Sequence, residues 1–203
     1  DVLIHCAYDF SFRQWDKIKE INVNNSIDFI NQAKSQGVRK IFYISTLSSF
    51  SKAVSNYGKA KFIVEQEIKD DRTFIIKPGI IIGSQLGGIA NTLNSISKLT
   101  YLLPIPYTKN NKLFITKRSE IFQLLSQSIT EIIDIPQITN IASCDGCSLI
   151  NLIKKLNRSE GIKSPIFIKL PPFIFYLTLF LYENIFPNSK INTDSLTSLI
   201  KSN

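Results

Sequence analysis

The chain has 203 residues, of which 44% are hydrophobic and 20% are charged, a composition typical of a folded globular protein. Its net charge of +8 comes from scattered lysines without a dense basic run, so we expect no nucleic-acid partner. Three cysteines are too few for a disulfide framework, which favours a reducing compartment and a cytoplasmic protein.

The first part of the chain has the pattern of a strand, a helix and a second strand. Residues Asp1–Ala7 show no alternation of apolar and polar side chains, which predicts a parallel strand covered on both faces. Residues Asp16–Gln36 have helical periodicity and stop at Gly37, a residue typical of helix ends. Residues Ile41–Ile44 are β-branched or aromatic and predict a second buried strand. That strand is followed by four hydroxyl side chains: Ser45, Thr46, Ser48 and Ser49.

The next helix, predicted to begin near Asn56, carries the one spacing that indicates chemistry. Tyr57 and Lys61 lie four residues apart and therefore share a helix face. A phenol with its usual pKa near ~10 is a poor base at neutral pH, but a neighbouring ammonium group lowers that pKa. The strand-end hydroxyls can then hold a substrate oxygen near the phenol, and Thr46 and Ser48 are both candidates. The pattern predicts a proton-transfer site.

The remaining elements form a second part with weaker signals. In chain order we predict a strand and exit loop at Thr73–Ile82, a helix at Ile89–Leu103 ending before Pro104 and Pro106, a strand at Lys112–Thr116, a helix at Ser119–Ile133, a strand at Ile138–Ala142 and a helix at Ser148–Leu156. The apolar run Phe173–Tyr182 is shorter than the roughly 20 residues that span a bilayer. We expect it to be a helix packed on this protein or docked on a partner, with contact to a membrane surface as the alternative.

The histidine and the cysteines do not form a metal-ligand pattern. Cys144 and Cys147 have the spacing of a ligand pair, but a structural zinc site needs two more ligands. His5 and Cys6 are consecutive on a strand and therefore point to opposite faces. We expect no metal, a turn between strand and helix at Cys144–Cys147, and a packed structural role for His5.

Several of these segments together resemble a known family. The segment Tyr57–Lys61 resembles the YxxxK motif of the short-chain dehydrogenase/reductase superfamily, and Ile44–Thr46 resembles its strand-end Ser/Thr segment. Other segments are similar, in the same order, to the extended branch that contains NAD-dependent epimerases and dehydratases. These are Asp1–Ala7, Ile21–Val23, Gly37–Lys40 and Phe74–Gly83.

The resemblance implies an α/β fold with a Rossmann-like, doubly wound parallel sheet that here lacks its first three strands, and a small C-terminal substrate lobe. Residues 1–84 would be the second half of the dinucleotide-binding domain, and residues 85–203 the interleaved substrate lobe with the C-terminal helices. No Gly-rich phosphate loop is present in the sequence, so we expect that loop upstream of Asp1.

The resemblance also assigns roles to residues. Tyr57 would be the acid/base, Lys61 would lower its pKa and hold the nicotinamide ribose, Thr46 or Ser48 would bind the substrate oxygen, and Asn22 would support a water relay. The implied cofactor is NAD or NADP. Its expected contacts are Cys6, Ala7, Tyr57, Lys61, Pro78, Gly79 and Ile80.

The implied activity is oxidoreduction or epimerisation at a secondary alcohol or carbonyl of a small molecule, such as a nucleotide sugar. Dehydration is disfavoured because Leu47 and Ser48 stand where dehydratases carry a carboxylate. The alternative is a scaffold or accessory subunit that keeps the dinucleotide fold without turnover. Homodimers are common in the family, although the sequence does not fix the oligomeric state. The segment Lys190–Leu199 resembles the family's C-terminal ending.

Overall fold

The computed structural model describes residues 1–83, 88–107 and 112–185, together with Asp194. The strands are β1 (Val2–His5), β2 (Lys40–Ile44), β3 (Thr73–Pro78), β4 (Ile80–Ile82), β5 (Leu102–Pro106), β6 (Ile115–Lys117), β7 (Ile138–Ile141) and β8 (Ile166–Leu170). The helices are α1 (Trp15–Ile18), α2 (Asn25–Ser35), α3 (Asn56–Glu67), α4 (Gly88–Leu99), α5 (Arg118–Ile129), α6 (Leu149–Ser159) and α7 (Pro172–Ile185). A π-helical segment, Lys19–Asn24, joins α1 to α2.

The main sheet has four parallel strands in the order β1-β2-β3-β7. Its central strand β2 is buried on both faces, with Ile41, Phe42 and Tyr43 at most 1% exposed. Tyr43 packs in a core with residues of α2 and α3, whereas Phe42 packs on the opposite face with residues of α5. The sheet is therefore covered by helices on both sides, which confirms the predicted α/β class.

Strand β1 differs from its prediction. It pairs with β2 alone among the described strands, and Val2 and Ile4 are each 41% exposed. The expectation of a strand covered on both faces is therefore wrong for one face of β1. His5, at the end of β1, is buried between Phe29 and Tyr43, as expected for a packed residue.

The helices beside β2 begin and end as their sequences predict. The helix that starts at Trp15 ends at Ser35, and Gly37 follows with a positive φ of 84°. The backbone N–H of Val38 then bonds to the Ala33 carbonyl, which closes the last turn. Helix α3 begins after Ser55, whose hydroxyl accepts a hydrogen bond from the Gly58 amide.

The second part of the chain has two further pairs of parallel strands, β4 with β6 and β5 with β8. The helix predicted over Ile89–Leu103 ends earlier, at Leu99, because Leu102–Pro106 forms strand β5. Pro104 and Pro106 are tolerated in β5 because it pairs with β8 alone among the described strands. Strand β8 was not predicted from the sequence.

Helix α7 contains the whole of the predicted apolar run, and it packs on only one side. Phe175 and Leu179 are buried against Leu170 and Tyr176. Five apolar side chains of α7 are more than half exposed: Phe173, Leu177, Phe180, Leu181 and Ile185. Among the described helices, none combines the length and the apolar character needed to cross a bilayer. The predicted ending Lys190–Leu199 lies outside the described residues, except for Asp194.

Candidate active site

The residues predicted to carry chemistry meet at the carboxyl ends of β1, β2 and β3. Thr46 follows β2 directly, and the ammonium group of Lys61 donates a hydrogen bond of 2.8 Å to the carbonyl of Ile44, the last residue of β2. Tyr57 lies in the first turn of α3, one turn before Lys61. In open parallel sheets, this edge is where ligands bind.

The side chain of Thr46 lies beside the phenol of Tyr57. Burial raises the pKa of Tyr57 to about 12, and the Thr46 side chain acts in the opposite direction because it favours the phenolate. Lys61 is not among the groups that shift this pKa, so the expected lowering of the Tyr57 pKa by Lys61 stays a prediction. The ammonium group of Lys61 contacts the Ile44 carbonyl and aromatic rings instead.

Lys61 is only 3% exposed, and it is surrounded by aromatic rings. Its ammonium nitrogen lies 4.6 Å from the centre of the Tyr43 ring and 5.7 Å from that of Tyr8. Burial lowers the pKa of Lys61 to about 8, while Cys6 and Glu65 act in the opposite direction. The lysine thus titrates near neutral pH, as residues in catalytic sites often do.

Two aromatic side chains that the sequence did not single out lie against Tyr57. The ring of Tyr8 meets that of Tyr57 edge-on, with 4.8 Å between the ring centroids. The centroid of the Phe10 ring lies 5.6 Å from that of Tyr57. Asn22 anchors the loop that carries them, since it accepts from the Asp9 amide at 2.6 Å and donates to the Asp9 carbonyl at 2.9 Å. Asn22 therefore acts on the site through this loop. Its water-relay role stays a prediction.

A buried ion pair supports the loop after β2. The Lys77 ammonium lies 3.1 Å from the Glu65 carboxylate, whose other oxygen accepts a hydrogen bond from Ser45. Lys77 also donates to the Ser49 carbonyl. These contacts fix both ends of the segment that contains Thr46. Glu65 lies four residues after Lys61 on α3, a spacing that could have indicated a shared helix face.

Ser48, the alternative hydroxyl, lies in the same loop. Its backbone amide donates to the Thr46 hydroxyl oxygen at 3.2 Å, and its carbonyl packs against the first turn of α3. A Cβ on Gly58 would lie 2.4 Å from that carbonyl oxygen. Gly58 is thus required where the loop touches the helix. The side chain of Thr46 lowers the pKa of Tyr57, which favours Thr46 as the hydroxyl that acts with the phenol.

The residues predicted to contact a cofactor divide into two groups. Cys6 and Ala7 are exposed just after β1, beside the site. Gly79 and Ile80 follow Pro78, but their amides already have partners within the chain. The Gly79 amide donates to the Thr116 hydroxyl, and the Ile80 amide donates to the Phe114 carbonyl. A Cβ on Gly79 would lie 2.3 Å from that carbonyl oxygen, so the close packing of the backbone already explains this glycine.

The cysteines are free thiols, and the segment from Cys144 to Cys147 connects β7 to α6 as predicted. The backbone of Cys147 pairs with that of Leu113 in a single antiparallel β-bridge. Within the described ranges, no cluster of three or more potential metal ligands occurs. Burial lowers the pKa of His5, the nearby charge of Lys61 lowers it further, and the histidine ring packs between aromatic side chains.

No protein-family profile and no curated protein sequence matches the chain. Solved structures do match. A dTDP-4-dehydrorhamnose reductase from Bacillus anthracis in complex with NADP has a TM-score of 0.69 at 18% identity, and the alignment covers 86% of this chain and 66% of that one. A UDP-glucose 4-epimerase from Thermotoga maritima has a TM-score of 0.62 at 15% identity, with 84% and 65% covered.

The enzyme WbmG from Bordetella bronchiseptica, solved with NAD and UDP, has a TM-score of 0.64 at 15% identity, and the alignment covers 99% of this chain and 71% of that one. The chain thus spans about two thirds of the length of these structures. Likeness at such low identity shows the fold, which is the Rossmann-like α/β fold that the sequence predicted. The implied function stays a proposal.

Proposed function

We propose that this chain belongs to an NAD- or NADP-dependent oxidoreductase or epimerase of the extended short-chain dehydrogenase/reductase type. The observation that carries the proposal is the grouping of Thr46 and Tyr57 with the buried Lys61 at the carboxyl edge of a parallel sheet. A phenol, a hydroxyl and a titratable ammonium group together are suited to moving a proton.

In this proposal, a nicotinamide cofactor, when bound, would provide the hydride chemistry. Tyr57 takes the proton from a substrate alcohol or gives it to a carbonyl oxygen, and Thr46 donates a hydrogen bond that orients that oxygen. Lys61 supplies positive charge near the phenol and the cofactor ribose. Its pKa of about 8 keeps most of the lysine charged at neutral pH, which also suits an anionic dinucleotide.

The cofactor-binding residues fit this arrangement in part. Cys6 and Ala7 are exposed beside Lys61, so a cofactor can reach them. Pro78, Gly79 and Ile80 follow the neighbouring strand β3, but Gly79 and Ile80 have amides bonded within the chain, so they would contact a cofactor through other atoms. We keep both NAD and NADP as candidates.

The proposed substrate is a nucleotide sugar or a related small molecule with a secondary alcohol or carbonyl. The similar structures support this class, because two of them were solved with UDP-glucose or with NAD and UDP. Leu47 and Ser48 provide no carboxylate after Thr46, so reduction or epimerisation is favoured over dehydration. We further predict that a domain boundary lies near residue 84, that the protein is cytoplasmic and that it forms a homodimer.

A non-catalytic scaffold or accessory subunit is the second candidate, and the exposed apolar face of α7 favours it. Phe173 and Phe180 are 72% and 58% exposed on this face. A contiguous apolar surface of this kind is typical of sites that dock on a protein, with a membrane surface as the alternative. A scaffold would use this face and would not need Tyr57.

Substitution of Tyr57 by Phe separates the two candidates. Tyr57→Phe removes only the hydroxyl that moves the proton, so an enzyme should lose turnover by a factor of roughly 10²–10⁴, the usual contribution of a general acid or base. Turnover would be measured with a panel of nucleotide sugars, as NAD(P)H absorbance for net oxidoreduction and by chromatography of the sugar products for epimerisation. Tyr101→Phe is the matched control, because Tyr101 is 78% exposed in the second part of the chain. Undiminished turnover in Tyr57→Phe would rule out the catalytic assignment.

A further inference from the structure

The beginning of α3 is held by a residue from the far end of the chain. The first amides of a helix have no partner within the helix and need one from elsewhere. In α3 the Ser55 hydroxyl accepts from the Gly58 amide at 3.1 Å. The amides of Asn56 and Tyr57 instead donate to the two carboxylate oxygens of Asp194, at 2.6 and 3.2 Å. Asp194 lies 137 positions after Tyr57.

Asp194 also lies close to the aromatic rings of the site. Burial raises the pKa of Tyr8, and the negative charge of Asp194 raises it further. The Tyr8 ring in turn contacts the ring of Tyr57. One carboxylate therefore meets the backbone of Tyr57 and lies near the side chain that packs on it. A carboxylate at this position also interacts favourably with the helix dipole.

We propose that Asp194 is a positioning residue for Tyr57, which fixes the first turn of α3 so that the phenol meets Thr46. Tyr57 is the second residue of α3, and an uncapped first turn of a helix frays easily. Movement of this turn would carry the phenol away from the hydroxyl of Thr46. The effect of Asp194 on turnover rests on the proposed function. The contact between Asp194 and the backbone of α3 is independent of that function.

The backbone contact can be tested by amide hydrogen exchange on the full chain. Asp194→Asn weakens the acceptor, and Asp194→Ala removes it. In Asp194→Ala, exchange at the amides of Asn56 and Tyr57 should become about 5-fold to 30-fold faster, the range expected when a helix cap is lost. Ser55→Ala is the positive control at the same helix end. Asp145→Asn, at an exposed position, should leave exchange in α3 unchanged.

The positioning role is tested by kinetics of the same variants. If Asp194 positions Tyr57, Asp194→Ala lowers kcat about 10-fold or more, while the KM for the sugar changes little. Asp194→Asn keeps one acceptor oxygen, so it should recover part of the lost kcat. Unchanged exchange in α3 would overturn the proposal. Faster exchange with unchanged kcat would also overturn it, because the contact would then only stabilise the helix. If the wild-type protein shows no turnover and exchange responds as expected, the proposed function fails while the contact is supported.

Discussion

The buried Lys61 should make the stability of the protein depend on pH in a specific way. Burial lowers the pKa of Lys61 from its ordinary value of 10.5 to about 8. Each pKa unit corresponds to about 1.4 kcal/mol, so the folded state carries a cost of about 3 kcal/mol when the lysine is charged. Lys61 is 3% exposed, so solvent screens little of this cost.

The sign follows from proton binding. Between pH 8 and 10.5, the unfolded chain holds a proton on Lys61 that the folded chain has lost. The free energy of unfolding therefore rises with pH in this window. Integration of the linkage relation from pH 7 to pH 9.5 gives a gain of about 2 kcal/mol from Lys61 alone. Below about pH 7 the contribution of Lys61 should be constant.

The test compares urea unfolding of the wild type and Lys61→Met at several pH values. The difference in unfolding free energy between the two proteins should change by about 2 kcal/mol from pH 7 to pH 9.5, in favour of the wild type as pH rises. Lys59→Met is the matched control, since Lys59 is exposed on the same helix, two residues away. A constant difference between the wild type and Lys61→Met across this range would refute the argument that Lys61 is held in a desolvated environment.

Two further predictions concern the support of the site. Glu65→Gln leaves the Lys77 ammonium group buried without its carboxylate, so the protein should lose about 3 to 5 kcal/mol in urea unfolding, whereas Glu67→Gln on the exposed face of α3 should change little. Equal small losses in both variants would contradict the ion-pair assignment. Gly58→Ala should destabilise by about 1 to 3 kcal/mol, because its Cβ would lie 2.4 Å from the Ser48 carbonyl oxygen, although this exchange usually stabilises a helix. A rise in melting temperature would show that the loop can move away.

The central part of the fold follows from local sequence signals. The strand at Ile41–Ile44 and the helix that begins at Asn56 have strong periodicity and clear end signals, and both form as predicted. The sequence also predicted that the strand-end hydroxyls and Tyr57 hold the same substrate oxygen, because the hydroxyls follow a strand and Tyr57 lies on the next helix; these roles stay predictions. These contacts join residues that are close in sequence, so short patterns are enough to locate them.

The features that were missed depend on contacts between distant segments. Strand β5 contains Pro104 and Pro106, which locally indicate a helix stop, and it exists only because β8 pairs with it. The ion pair of Glu65 with Lys77 and the cap from Asp194 join residues on separate elements. The raised pKa of Tyr57 reflects burial, which the helical spacing of Lys61 cannot reveal. Tertiary packing thus decides which side chains contact Tyr57 and its supporting loop, and whether the pKa of Tyr57 is raised or lowered.

The most direct test of the proposed chemistry follows the hydrogen on the reacting carbon. A nucleotide sugar that carries deuterium at its secondary alcohol carbon would be incubated with the protein and NAD or NADP, and the products would be analysed by mass spectrometry. We expect deuterium to stay on carbon, either at C4 of the nicotinamide or in the epimerised sugar, and we expect Tyr57→Phe to block the transfer. Deuterium released to water, or no reaction with any sugar of the panel, would contradict hydride transfer at this site.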